Sequence, residues 1–193
     1  MDEKIFNDIY KRHLETLKNK DKKANKTIIC FSGLSGSGKT TLSKRIESEF
    51  SAVRISSDEI REIIGKLGYA DKFPEQHKIS SNYLRWFLKN YKLENKFIIL
   101  DNDISGKYAD IKQILSPQSW KFFIIQITLD PSLAIQRVIK REDKFEGFQD
   151  NLHERIRTYN EFNSKNTANI IVDNTKELNF EDILANIKKF LKN

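Results

Sequence analysis

Hydrophobic residues in this chain follow two alternating rhythms, and the switches between them mark out its elements. Phe6, Tyr10, Leu14 and Leu17, with Ile5 and Ile9 beside them, recur at helical spacing, which predicts an amphipathic helix over about residues 3–18 whose stripe docks on the rest of the domain. The polar stretch NKDKKANK, 19–26, then reads as a connection. TIICF, 27–31, is uninterrupted and rich in β-branched residues, a buried-strand pattern, and Leu42, Ile46 and Phe50 follow at helical spacing. The exchange repeats along the chain. A short strand at 52–55 gives way to a helix from Ser56, and a Gly- and Pro-containing break at 67–75 precedes an aromatic helix at about 75–91. An apolar strand at 97–100 precedes a short helix within 104–116 that stops near Pro117. KFFIIQITL, 121–129, is the next strand, and Asp130-Pro131 opens a helix on which Leu133, Ile135 and Val138 are expected to bury. A helix at about 150–162, the strand ANIIV at 168–172 and a final helix with Phe180, Ile183, Leu184, Ile187 and Leu191 in its stripe complete the pattern. Strands alternating with helices predict an α/β domain, a parallel sheet with helices on both faces and ligands at the carboxyl ends of its strands.

Composition narrows this picture. At 193 residues and 38% hydrophobic, the chain suits one globular domain, 27–193, preceded by the helix and linker of 1–26. The single cysteine, Cys30, lies inside the first strand and reads as a small core residue in a reducing compartment. No apolar run reaches the roughly 18 residues of a membrane span, and the polar N-terminus is unlike a secretory signal. The expectation is a cytoplasmic chain. The net charge is +7, but residues 1–26 hold eight Lys/Arg against five Asp/Glu and the remainder 26 against 22. An excess spread toward the ends does not favour nucleic acid as partner.

The chemistry concentrates after the first strand. Gly33-Leu34-Ser35-Gly36-Ser37-Gly38-Lys39-Thr40, with Thr41 next, fits G-x-x-x-x-G-K-[S/T] without a mismatch. Such a loop turns backbone N–H groups onto phosphates, its Lys39 reaches the terminal phosphate oxygens, and its Thr40 hydroxyl takes a place on Mg²⁺. The following helix adds its N-terminal dipole. Strand before and helix after are the setting this mechanism needs, so a nucleoside triphosphate with Mg²⁺ is the expected ligand pair.

Three further sites bear on what happens to the phosphate. In SSDEIR, Ser56 and Glu59 have capping-box spacing, a structural account, while Asp58 can act as base on an incoming hydroxyl and Arg61 can hold an anionic part of the acceptor. Asp101, ending an apolar strand, is a candidate for the Mg²⁺ side of the site, and Asn102 stands where a hydrolase would carry a water-activating glutamate. Arg137 and Arg141, four apart before the stretch ending near Phe148, suit a lid over 137–148, although cations also favour a helix C-terminus.

GLSGSGKTT, SSDEIR, IILD, ITLDPSLAIQRVIKRE and IIVDN, in this order, together resemble the P-loop kinase group of nucleoside, nucleotide, gluconate, adenylylsulfate and polynucleotide 5′-hydroxyl kinases. The resemblance covers about 27–191. It implies a five-stranded parallel sheet in the order 2-3-1-4-5, ATP as donor, and transfer of its γ-phosphoryl to a hydroxyl of a small molecule or nucleotide. It also implies phosphate contacts for Ser35 and Ser37 of the loop and for Arg155 in ERIRTYNEF. A polynucleotide kinase and a non-catalytic ATP-binding module are the alternatives.

Overall fold

A computed structural model of the chain describes residues 3–16, 26–90, 97–140, 152–175 and 178–192. Among these, five strands form one parallel sheet in the order β2-β3-β1-β4-β5, where β1 is Thr27–Ser32, β2 Val53–Ser56, β3 Phe97–Asp103, β4 Lys121–Thr128 and β5 Ile170–Asp173. This is the expected order. The central strands are apolar on both faces because both faces are covered. Alternate residues separate into two cores. Ile28, Cys30, Ile98, Leu100 and Ile124 pack with side chains of α1 (Glu3–Thr16), α3 (Ser57–Lys66), α4 (Phe73–Asn90), α5 (Tyr108–Leu115) and α7 (Leu152–Lys165). Ile29, Phe31, Phe97, Ile99 and Ile125 pack with α2 (Lys39–Phe50) and α8 (Phe180–Lys192). Each fully buried Leu, Ile or Phe contributes about 1.5–3 kcal/mol against leaving it in water. Cys30 is buried in β1, and burial raises its thiol pKa well above the ordinary value.

Several boundaries move for local reasons. Helix α4 starts at Phe73, two residues before the expected start, because Pro74 fits a first helical turn instead of breaking the chain. On α6 (Pro131–Ile139) Ala134 and Val138 bury, whereas Leu133 and Ile135 are half-buried. The contact is with the glycine loop after β1, and a small residue lets the helix approach. Strand β5 begins at Ile170 because the Asn169 side chain takes up a ladder bond, accepting from Ile124 N at 2.7 Å. Being an edge strand, it leaves Ile171 68% exposed.

Helix α1 docks on α3 and α4 through Phe6 and Ile9, as the stripe predicts, but Leu14 is exposed and Leu17 lies outside the described residues. His13 takes the inner place instead. It is fully buried and shares a 2.9 Å hydrogen bond between Nδ1 and the Tyr83 hydroxyl. Tyr83, Leu84 and Phe87 of α4 face the core. No described helix is long and apolar enough to cross a membrane.

Candidate active site

From Ser32 the chain turns through Gly33–Gly38 into α2. Gly36 and Gly38 hold φ of +82° and +94°, a region L side chains rarely adopt; a Cβ would stand 2.7 Å from the Ala134 carbonyl oxygen at the first and 2.5 Å from Asn174 Nδ2 at the second. Glycine is therefore required at both. The turn is closed by Ser37 N donating to Leu34 O at 3.1 Å, and three distant elements hold its outside. Asn174 Nδ2, after β5, donates to Ser37 O at 2.7 Å; Arg137 of α6 donates to Asn174 O at 3.1 Å and reaches Gly36 O at 3.5 Å; Arg155 of α7 donates to Ser35 Oγ at 3.0 Å. Beside the loop an open cleft is lined by Thr41, Arg137, Asn174 and Phe180.

Lys39 opens α2, and its Nζ donates to Gly33 O at 2.7 Å and Leu34 O at 2.8 Å. Burial lowers its pKa, Asp103 and Asp101 oppose the shift, Arg155 adds to it and Asp58 opposes it. Thr40 Oγ1 donates to Asp101 Oδ1 at 3.1 Å, while Asp101 Oδ2 accepts from Arg54 Nη1 at 2.6 Å. Asp101 is thus buried and held on both oxygens. A register slip, in which Cys30 pairs with Leu100 but Phe31 with Asp103, follows on β3. It brings Asp103 beside the loop, where its Oδ1 accepts from Gly33 N at 3.2 Å and Ser105 Oγ at 2.9 Å.

Strand β3 stands between β1 and β2, so Asn102 and Asp103 separate the glycine loop from the Asp58 turn. Asn102 Nδ2 donates to Ser57 Oγ at 3.1 Å. At that turn Ser56 caps α3, accepting from Glu59 N at 3.4 Å, and Glu59 pairs with Arg54. Capping therefore accounts for Ser56. Asp58 is exposed and forms an ion pair with Arg61. Burial lowers the Arg61 pKa, with Asp58 opposing and Arg155 adding. Lys107, half-buried at the start of α5, is likewise lowered by burial and then by Arg61 and Arg85, against Asp103. His77 of α4 is lowered by partial burial and by Lys107, Arg61 and Arg155.

The residues present fit a nucleoside triphosphate with Mg²⁺. The loop holds two glycines at positive φ, and the Ser37 hydroxyl is buried in it without a hydrogen-bond partner. Thr40 and Asp101 offer hard oxygens, and among the described residues no group of three or more His, Cys, Asp or Glu gathers elsewhere to hold a metal. One or two protein oxygens, completed by phosphate and water, is the donor set Mg²⁺ prefers. The geometry refines the expectation for Asp101. Its Oδ1 is engaged by the Thr40 hydroxyl and its Oδ2 by Arg54, which sets it behind Thr40.

Lys39, Thr40, Asp101, Asp58, Arg61, Arg137 and Arg155 all come to the carboxyl edge of the sheet. Arg141 and most of the expected lid lie outside the described residues. Arg54, Asp103, Lys107 and Asn174 were not foreseen as site residues. Asp103 was signalled by its two-residue spacing from Asp101 on a strand, and Arg54 by a charge inside an apolar run.

A family model described as an AAA domain matches residues 28–162. Among proteins with curated descriptions none matches this sequence. Solved structures show the same fold. A chain of the PezAT chromosomal toxin-antitoxin system of Streptococcus pneumoniae is 16% identical, with TM-score 0.67 over 93% of this chain and 81% of that one. Shikimate kinase from Acinetobacter baumannii, solved with shikimate, is 17% identical, with TM-score 0.55 over 87% and 93%. A gluconokinase from Sinorhizobium meliloti 1021 is 13% identical, with TM-score 0.54 over 89% and 95%. With its glycine loop, sheet order and matched span taken together, the chain belongs to the AAA domain family and has the fold of the P-loop kinases.

Proposed function

We propose that the protein is an ATP-dependent phosphotransferase that moves a γ-phosphoryl group to a hydroxyl of a small molecule or nucleotide carrying an anionic group. The observation that carries this reading is a juxtaposition. A complete phosphate loop shares one sheet edge with an acid–arginine pair, exposed Asp58 and half-buried Arg61, and Asn102 stands in place of a water-activating glutamate.

ATP with Mg²⁺ supplies the phosphoryl group and much of the charge neutralisation. The loop amides and Lys39 hold the donor phosphates, Lys39 exchanging its contacts to Gly33 O and Leu34 O for phosphate oxygens. Thr40, with Asp101 behind it, would hold the cation. Arg137 and Arg155, already bonded to loop atoms, meet charge as it develops. Asp58 accepts the acceptor's hydroxyl proton. The cleft by Thr41, Arg137, Asn174 and Phe180 takes the nucleoside of the donor. Arg61 and Lys107, with His77 nearby, favour an acceptor bearing phosphate or carboxylate.

A screen of ATP consumption against matched acceptors tests this, each neutral sugar or nucleoside set beside its phosphorylated or carboxylated counterpart. Turnover confined to anionic members is expected. Nucleotide uptake with no turnover on any hydroxyl compound would leave a binding module.

A further inference from the structure

Strand β2 carries a charge where a strand packed into the core usually carries none. The Arg54 side chain is 8% exposed between Val53 and Ile55, and an unpaired guanidinium there would cost several kcal/mol. Three carboxylates from three elements meet it: Asp101 of β3 at 2.6 Å on Nη1, Glu47 of α2 at 3.0 Å on Nε, and Glu59 of α3 on Nη2. Burial alone would lower its pKa, but Glu59, Glu47 and Asp101 together hold it above the ordinary arginine value. One cation among three anions is a poor device for stability alone, since hydrophobic residues of the same volume often serve as well.

What sets this cluster apart is where its anions lead. Asp101 gives Oδ2 to Arg54 and Oδ1 to the Thr40 hydroxyl, so the guanidinium prevents the carboxylate from turning away from the loop. Glu47 lies on α2, two turns beyond Thr40, and Glu59 is the neighbour of Asp58. We propose, resting on the phosphotransferase reading above, that Arg54 is a positioning residue. It fixes Asp101 so that the Thr40 proton stays engaged and the hydroxyl lone pairs are left for a divalent cation. It also ties the first turn of α3, which carries Asp58, to the same anchor. A lysine cannot replace it, because a single ammonium lacks the planar fork that reaches three partners.

The test is Arg54→Lys in the full chain, with ATP affinity measured by isothermal titration in Mg²⁺ and in EDTA, without acceptor. Affinity in EDTA should stay within about twofold of the unsubstituted chain. The gain in affinity that Mg²⁺ brings should fall by about 10-fold or more, the range seen when groups behind a metal ligand are removed. A merely structural role would change the melting temperature and leave that gain intact. An unchanged gain in a folded Arg54→Lys protein overturns the proposal. If that chain does not fold, Glu59→Gln removes one anchor at a half-exposed site and should still lower the gain about threefold; no change there also overturns it. An unsubstituted chain that takes up no ATP would sink the phosphotransferase reading, and this inference with it. Metal-dependent uptake unaffected by either substitution sinks the Arg54 inference alone.

Discussion

The two halves of the groove are built from different materials. On the donor side the working surface is backbone, set by two glycines at positive φ and fastened from outside by Asn174, Arg137 and Arg155. On the acceptor side it is side chain: Asp58 and Arg61 pair at the surface, with Lys107 and His77 close by. Phosphates are alike in every nucleotide, so a rigid backbone cradle can be shared across many proteins. Acceptors differ, and a few side chains outside the sheet can be exchanged without disturbing it.

Breaking the donor side should cost most. Lys39→Ala is expected to reduce phosphoryl transfer by about 10³-fold or more while thermal unfolding stays close to that of the unsubstituted chain, since the Lys39 ammonium is bonded to loop carbonyls and the residue belongs to neither core cluster. Normal turnover by a folded variant would remove the basis for the mechanism. The acceptor side comes next. Asp58→Asn should lose about 10² in kcat with ATP affinity unchanged and α3 intact, because Ser56 supplies the N-cap of α3; a loss of stability with unaltered kcat would return Asp58 to a structural role. Arg137→Ala sharpens the comparison, since this residue belongs to the donor side yet is expected to serve migrating charge. Steady-state kinetics should show kcat falling about 10-fold or more against a few-fold change in ATP affinity, and the reverse ratio would make Arg137 a binding residue only.

The last effect is on stability and not on turnover, and it lies behind the acceptor side, in the packing of α1 on α4. Burial lowers the His13 pKa from 6.5 to about 4. Between these values the unfolded chain binds the proton that the folded chain refuses, so this contribution is fully present above about pH 6.5 and is lost as pH falls toward 4. The loss amounts to about 3 kcal/mol at most. Denaturation curves at pH 7 and pH 5 should show the drop, and His13→Gln should flatten it. An equal slope in both chains would place the titration elsewhere.

The donor side was legible in the sequence because a backbone cradle needs particular residues at fixed spacing, and Gly33 to Thr40 carry all of them together. The alternation of apolar runs and helical stripes likewise led to the sheet and its two covered faces. Side-chain convergence is harder to read. Lys107 and Asp58 lie on different elements, 49 positions apart in the chain, and nothing local to either says that they approach one sheet edge. Of Leu133, Ile135 and Val138, expected inward, only Val138 buries, and Ala134 joins it because α6 leans on Gly36 through these two residues. His13 outranked Leu14 through the Tyr83 hydroxyl, a partner 70 positions away.

The thiol in β1 has a practical consequence. Cys30 is the only cysteine, fully buried and with its ionisation suppressed, so the folded protein should be silent toward maleimides and disulfide reagents, which attack the thiolate. Any labelling of the native sequence then clocks the opening of the sheet itself. A cysteine introduced at an exposed position such as Lys140 would take a spectroscopic probe at that one site.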